Sequence, residues 1–339
     1  MDKLNHVFNM TNKKLSLYRF SLPFNQPINF KGERLSSREG LWLIEHQENG
    51  NDCIGEISPL PGFSHETIKQ CEQQLLQILQ QNEQAADNNA TTLALLPSVS
   101  FGLFCLQQQI PWQHTNTGSS QCIPLLQRES SDVIQRYRSL NCPDTVKLKV
   151  ARVAIEEDIQ ILTELIHINP KVYFRLDANQ QWTTKQCRHF LEKIDRQYID
   201  YIEEPTASLK DNLAISEQFN VSIGLDESLL NDEALPTHHC IHTLVIKPTL
   251  IGGQTRINKL LSYAQQHQLN ISISSSFESP IAIKQLHHLA ERWKNQYSLT
   301  VDLGLDTLYA FQQDVVADQS HHSTDLKKLL TEATCIWRC

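Results

Sequence analysis

Between residues 145 and 249, short apolar runs recur at a near-regular interval, and each ends on a charged residue. They read Thr-Val-Lys147-Leu-Lys149, Tyr-Phe-Arg175-Leu-Asp177, Tyr-Ile-Glu203-Glu204, Ile-Gly-Leu-Asp226-Glu227 and Leu-Val-Ile-Lys247. From Lys149 through Asp177, Glu203 and Asp226 to Lys247 the steps are 28, 26, 23 and 21 residues, the length of one strand plus one crossover helix. Helical patterns fill the intervals, so the stretch predicts a βα repeat. Residues 270–276 and 298–306 add two strands after it and residues 121–126 one before it, for eight in all. Eight such units predict a closed (β/α) barrel, whose functional groups gather at the C-terminal ends of the strands. Every charge named above stands at such an end.

Upstream the period changes. Residues 17–20, 40–46 and 52–57 alternate or run apolar between turn residues and predict an antiparallel meander of three strands. The following loop, residues 55–64, is rich in Pro and Gly yet carries apolar Leu60 and Phe63, and it reads either as a lid or as a strand-to-helix turn. Ser64 is the expected cap of a helix that starts at His65 and runs through a Gln-rich segment to Gln84, with Leu75, Leu76, Ile78 and Leu79 at helical spacing. Polar residues 82–89 interrupt it. Residues 93–110 resume with apolar residues on much of the circumference, as expected of a helix buried between two domains, and residues 111–120 read as a linker.

Composition narrows the class. A chain of 339 residues with 40% hydrophobic residues accommodates a barrel of about 250 residues and a second module of roughly 90. The expected division is an N-terminal domain over 1–117, with 1–16 a loose polar extension, a barrel over 118–306, and a segment 307–339 returning to the first domain. A net charge of -8 offers no basic footprint for nucleic acid. No apolar run approaches the ~20 residues that span a bilayer, and the start lacks the basic and apolar regions of a signal peptide. A cytoplasmic protein is expected. Nine cysteines without a Cys-x-x-Cys pair read as reduced packing thiols rather than a zinc or redox centre. His238-His239 and His321-His322 read as surface residues, and the Asn89-Ala-Thr91 sequon is idle in a cytoplasm.

In a ring of eight the second and sixth strands lie opposite each other, so Lys149 and Lys247 face one another across the mouth. Acids from the third, fourth and fifth strands form a hard oxygen site suited to Mg²⁺. Lys147 and Lys149 share one face of their strand. If that face is the interior, burial and repulsion lower the proton affinity of each, and a lysine so placed can act as a base; the alternative is a solvent-facing edge pair. Asp177 shares a face with Arg175 and Asn179, although a lone Asp at a strand end is more often a helix cap. Glu203 and Glu204 must diverge, as must Asp226 and Glu227, and spacing does not choose which of each pair looks inward. The other acid is expected behind it, paired with a lysine.

The Lys-x-Lys, Leu-Asp-Ala-Asn, Glu-Glu-Pro, Asp-Glu-Ser and Ile-Lys-Pro motifs resemble those of the enolase superfamily, in its muconate-lactonizing-enzyme-like branch. Residues 55–64, Leu96-Pro-Ser-Val, Ser274-Ser-Ser-Phe-Glu278-Ser and Gly304-Leu-Asp-Thr307 resemble, within it, the o-succinylbenzoate synthases of menaquinone biosynthesis. The resemblance covers about residues 17–307; the extension before it, Gly252-Gly253 and the stretch after Asp306 depart from the pattern. It implies a modified TIM barrel with an α+β capping domain. It also implies Asp177, Glu203 and Asp226 as Mg²⁺ ligands, with Mn²⁺ a substitute. Lys149 is implied as base and then acid, Lys247 as the lysine stabilising the anionic intermediate, and Lys147, Asn179, Ser274 and Gly304 as substrate-pocket residues.

The implied reaction is syn-dehydration of 2-succinyl-6-hydroxy-2,4-cyclohexadiene-1-carboxylate to 2-succinylbenzoate. A proton α to a carboxylate is too weakly acidic for an unaided lysine, and Mg²⁺ on that carboxylate stabilises the resulting enediolate. The implied partner is a small-molecule carboxylate, with oligomeric state open and a monomer compatible. The alternative within the superfamily is an N-acylamino acid racemase or dipeptide epimerase using both lysines as bases. A metal-dependent binding protein without turnover is disfavoured, because a binder needs no opposed lysines.

Overall fold

A computed structural model describes residues 13–30, 32–84, 94–113, 122–127, 130–231, 235–312 and 326–339. The expected extension up to residue 12, the Asn89–Thr91 sequon, the linker beyond residue 113 and His321-His322 lie outside the described residues.

The chain opens with β1 (Leu15–Phe30), β2 (Glu33–Glu45) and β3 (Cys53–Ile57), followed by α1 (Ile68–Gln84) and α2 (Pro97–Gln107). The βα series follows: β4 (Leu125–Leu126), α3 (Ser130–Ser139), β5 (Thr145–Lys149), α4 (Ile155–Ile168), β6 (Tyr173–Asp177), α5 (Thr184–Lys193), β7 (Ile199–Glu203), α6 (Leu209–Phe219), β8 (Ile223–Leu225) and β9 (Ile241–Ile246). It continues with α7 (Pro248–Ile251), α8 (Gln254–His267), β10 (Asn270–Ser274), α9 (Pro280–Tyr297) and β11 (Val301–Gly304), and the chain ends with α10 (Leu326–Thr331) and β12 (Thr334–Arg338). Two sheets result: a four-stranded one in the order β12-β1-β2-β3, and an eight-stranded one running from β4 to β11 in chain order.

All eight strands of the larger sheet are parallel. Its ends meet through a bridge between Cys122 and Leu303 and through the N–H of Ile123, which donates to the carbonyl of Leu303 at 2.8 Å. The period-2 alternation sorts the side chains. Val146, Leu148, Phe174, Leu176, Ile202, Ile223, Leu225, Leu244, Ile246, Ile271 and Ile273 join the helices in one buried apolar cluster. The other set along the same strands is largely polar, which a barrel interior open at one end accommodates. Gly224 leaves room in that interior for the ring of Tyr201, since a Cβ would lie 2.9 Å from two of its atoms.

The smaller sheet differs from the expected meander. β1 and β2 extend as a long two-stranded ribbon, with a register shift between Pro23 and Ile28, and β12 pairs antiparallel with β1. The outer part of the ribbon is mostly exposed, so it carries no apolar period by which a sequence could announce it. α1 begins three residues later than expected. Its cap is Thr67, whose hydroxyl accepts from the N–H of Gln70 (3.3 Å) while the Gln70 side chain accepts from the N–H of Thr67 (2.8 Å). The Ser64 hydroxyl instead accepts from the N–H of Leu60 at 2.9 Å. α2 starts at Pro97, whose fixed φ suits the first helical position, and is buried continuously from Ser98 to Leu106. It lies so close to β3 that a Cβ on Gly55 would come within 2.2 Å of the Gly102 carbonyl oxygen.

Aromatic packing joins sheet and barrel. Phe20 stacks on Trp42 with centroids 4.1 Å apart, and Phe24 packs on Phe311 at 4.8 Å and edge-on to Phe277 at 5.9 Å. Gln285 of α9 donates to the carbonyls of Ile54 (2.8 Å) and Ile110 (3.2 Å). Among the described residues no helix is long and apolar enough to cross a membrane.

Candidate active site

The rim of the barrel gathers the charges that end β5 to β9. Register pairs Lys149 with Asp177 and Asp177 with Glu203. Lys147 Nζ donates to both oxygens of Glu203, at 2.9 and 2.7 Å, and lies 2.9 Å from Asp177 Oδ2. Lys149 Nζ donates to the same Asp177 oxygen at 2.5 Å and to Asn179 Oδ1 at 2.7 Å. On the far side Lys247 Nζ donates to Asp226. The acids are sealed from solvent, with Asp177 and Glu203 at 0% exposure and Asp226 at 2%.

Buried charge this dense moves the titrations apart. Burial pushes the Lys147 ammonium down, but Asp177 and Glu203 together outweigh it and hold it well above the usual lysine range. Lys149 goes the other way. Burial, helped by Lys147, Arg152 and Lys247, overcomes Asp177 and brings it to about 8. The expectation that both lysines are lowered is therefore corrected: Lys147 meets two carboxylates, whereas Lys149 meets one and a neutral amide. Lys247 is pushed down by burial but held above its ordinary value by Asp226 and Glu203. Asp177 lies well below its ordinary value, because Lys147, Lys149 and Lys247 outweigh its burial. Glu203 lies well above, through burial and then the neighbouring Asp177.

In each doublet the second acid turns aside. Glu204 accepts from the N–H groups of Asp226 (3.2 Å) and Ser228 (2.9 Å), so it braces the turn that carries Asp226 rather than pairing with a lysine as expected. Glu227 accepts from Asn179 Nδ2 at 3.3 Å, linking the turns after β6 and β8. Glu204 (φ 37°), Ala151 (φ 62°), Asn179 (φ 45°) and Phe277 (φ 60°) take left-handed backbone just past the ends of four strands. Conformations that most side chains avoid thus cluster at the rim.

Above the lysines lies a cavity of about 530 Å³, its mouth included. Lys147, Lys149, Lys247, Ser274 and Gly304 line it, together with Leu60 and Phe63 from the loop after β3. The Phe63 ring centroid is 5.2 Å from Lys247 Nζ. Asn179 does not line this cavity but holds Lys149 and borders the adjoining cleft. Sequence reasoning flagged Leu60 and Phe63 by their apolar character, but it missed the groups that fix their loop. Arg38, 1% exposed, donates to the carbonyls of Ser58 and, at 2.6 Å, Pro59. Glu56, also buried, accepts from Trp42 Nε1, Ser58 Oγ and the Ser279 N–H, each at 3.0 Å. Glu278, next in the chain to the Ser279 that meets Glu56, gathers Thr249 (2.8 Å) and Ser275 (2.7 Å). Glu56 and Glu278 lie in stretches the sequence singles out and Arg38 does not, but nothing local in the sequence assigns any of them these long-range partners.

Among the described residues, one group of three His, Cys, Asp or Glu residues brings its ligand atoms mutually within 4.8 Å: His238, His239 and Cys240, before β9. Of this pair, expected at the surface, His239 is exposed and His238 half-buried, and the two rings stack with centroids 4.7 Å apart. Asp177, Glu203 and Asp226 do not all close to that distance; Lys147 is shared by Asp177 and Glu203, while Lys247 holds Asp226 apart from them. Their chemistry nonetheless fits a divalent cation. They are hard oxygen donors, buried, and burial together with the neighbouring Asp177 charge disfavours ionisation of Glu203, as expected of acids gathered at a cation site. All nine cysteines are free.

Residues 12–110 match the family described as MenC, N-terminal domain, and residues 129–324 the family described as Enolase C-terminal domain-like. The o-succinylbenzoate synthase of Aliivibrio fischeri (strain MJ11) is 30% identical over 332 residues, spanning 96% of this chain and 99% of that protein. The crystal structure of o-succinylbenzoate synthase from Thermosynechococcus elongatus BP-1, complexed with Mg in its active site, aligns with a TM-score of 0.66 and 25% identity over 87% of this chain and 93% of that one. N-succinyl Arg/Lys racemase from Bacillus cereus ATCC 14579 aligns at 0.70 over 96% and 98%, but at 14% identity, which shows a shared fold alone. Matched along nearly its whole length, the chain belongs to the o-succinylbenzoate synthase family of the enolase superfamily.

Proposed function

We propose that this protein performs the o-succinylbenzoate synthase reaction of menaquinone biosynthesis, removing water from 2-succinyl-6-hydroxy-2,4-cyclohexadiene-1-carboxylate to give 2-succinylbenzoate. The observation that carries this reading is the unequal pair of lysines facing one set of buried acids: Lys149 brought down to about 8, Lys247 held up. A lysine at about 8 is partly neutral near pH 7 and suited to take a proton; one held above its usual range stays charged and suits charge stabilisation.

In this reading Asp177, Glu203 and Asp226 hold a divalent metal, Mg²⁺ with Mn²⁺ a substitute. Bound there, the ion supplies positive charge to the substrate's ring carboxylate and so acidifies the carbon beside it. Neutral Lys149 takes the proton from that carbon. The Lys247 ammonium faces the negative charge that develops. Lys149, now protonated, returns its proton to the hydroxyl leaving the neighbouring carbon on the same face; water departs and the ring becomes aromatic. Asn179 aims Lys149, Lys147 neutralises Glu203 and Asp177, and Ser274 and Gly304 form the wall against which the substrate rests. A two-base racemase would need Lys247 to release its proton, against the hold of Asp226.

The deciding assay offers purified protein and Mg²⁺ the cyclohexadiene substrate and, separately, single enantiomers of N-succinyl amino acids in D₂O. The expected result is rapid aromatic product and little deuterium in the amino acids. Rapid exchange of both enantiomers with the cyclohexadiene untouched would replace the synthase reading with the racemase.

A further inference from the structure

The substrate of the reaction proposed above carries two carboxylates, one on the ring beside the reacting carbon and one at the end of the succinyl chain. The ring carboxylate belongs at the acids of the rim. The cavity over the lysines has apolar walls at Leu60, Phe63, Ile123 and Phe277, which suit the ring; its cations are the three lysines already paired with the rim acids, and beyond them it offers an anion hydroxyls at Ser274, Ser275, Ser276 and Thr307. Beside it opens a larger cleft, about 1650 Å³ with its mouth, and Phe63 lines both. The tip of the β1–β2 ribbon forms one wall of this cleft, and the turn after β5 with Asn179 forms another.

Arg152 is the one cation among the described residues lining that cleft, where Asp132 is the one anion. It stands three residues past Lys149, beyond the left-handed turn at Ala151. Its charge reaches Lys149 as one of those that lower it, while its Nη1 donates to the Asn29 carbonyl at 3.4 Å, a long bond that a carboxylate can displace or share. The side chain is exposed, so a ligand entering the cleft meets it.

We propose that Arg152 binds the succinyl carboxylate of the substrate, a specificity contact resting on the function assigned above. A guanidinium matches a carboxylate with two parallel donors, and from this position it fixes the distal end of a molecule whose reacting carbon lies over Lys149. The contact holds the succinyl chain in the cleft and the ring in the cavity.

The test is calorimetric titration of the Mg²⁺-loaded protein with 2-succinylbenzoate and with 2-butanoylbenzoate, in which a methyl group replaces the distal carboxylate. Arg152→Met is expected to weaken 2-succinylbenzoate on the order of 10- to 100-fold, the value of a hydrogen-bonded charge, and to leave 2-butanoylbenzoate nearly unchanged. Arg152→Lys recovers part of the loss, and in turnover the defect falls more on KM than on kcat. Equal weakening of both compounds would mean that Arg152 only shapes the ribbon through Asn29, and no weakening of either would mean that it faces no ligand; both overturn the assignment and leave the function standing. A wild-type protein that neither binds 2-succinylbenzoate nor forms it sinks the functional reading, and the Arg152 contact with it.

Discussion

Deleting the Lys147 ammonium tests how the rim balances its charge. Lys147 Nζ lies within 2.9 Å of both Glu203 oxygens and of Asp177, and its two partners are sealed from solvent. Lys147→Met keeps most of the side-chain volume and removes the charge, leaving three buried acids to two ammonium groups. Removing one partner of a buried ion pair costs about 3–5 kcal/mol. Glu203 already lies well above the usual carboxylate range and limits the loss by taking up a proton, which points to the lower end, about 3 kcal/mol. Mg²⁺ then changes the comparison. A cation that binds only the folded form stabilises it by RT ln(1 + [L]/Kd), and in the variant it meets acids with one ammonium fewer in competition. Thermal melts by circular dichroism, begun in EDTA and repeated across a Mg²⁺ titration, read both effects. The expected gap between wild type and variant is widest in EDTA and narrows as Mg²⁺ rises. No gap in EDTA, or a gap indifferent to Mg²⁺, would refute both the charge balance and the placing of the ion at these acids.

Two further predictions concern the roles of single residues. If Lys149 is the base, kcat/KM rises with pH as its proton is lost, with a midpoint at or below about 8, since burial lowers it and a bound divalent cation lowers it further; a flat profile from about pH 6 to 9 would remove it from that role. Glu203→Gln is expected to lose far more Mg²⁺ affinity than Glu204→Gln, because Glu204 already accepts from the N–H groups of Asp226 and Ser228, and matching calorimetric titrations would mean the wrong acid was chosen.

The barrel is legible in the sequence because two signals coincide: apolar runs at strand length, and a charge where each run meets the rim. The ribbon of β1 and β2 is not, since its outer part is mostly exposed, with Ile28 and Leu35 as half-buried apolar residues, too few to make a period. The cap of α1 was open to a closer reading, as Thr67 and Gln70 form a capping box, but Ser64 is the more conspicuous hydroxyl. The left-handed residues at the rim are a different matter. Ala151, Glu204 and Phe277 are not types that favour that backbone, so their conformation is imposed by strand ends and packing that no local pattern encodes. Arg38 and Glu56 fail for a related reason. Each acts on groups distant in the chain, and a charged residue in a strand is ordinarily a solvent-facing one.

The two lysines of β5 show where pattern gives way to geometry. Lys147 and Lys149 are of one type, two positions apart and on one face, and from sequence they have the same expected fate. Register separates them. Lys149 sits level with Asp177, and Asp177 with Glu203, so the ammonium one step back along β5 reaches two carboxylates while the one at the rim reaches a single carboxylate that it must share. Sharing is decisive: Asp177 cannot fully offset the burial of Lys149 while it also faces Lys147, and Asn179 brings no charge to make up the difference. A permanent cation and a candidate base therefore arise from identical side chains, and the number of carboxylates each ammonium meets tells them apart.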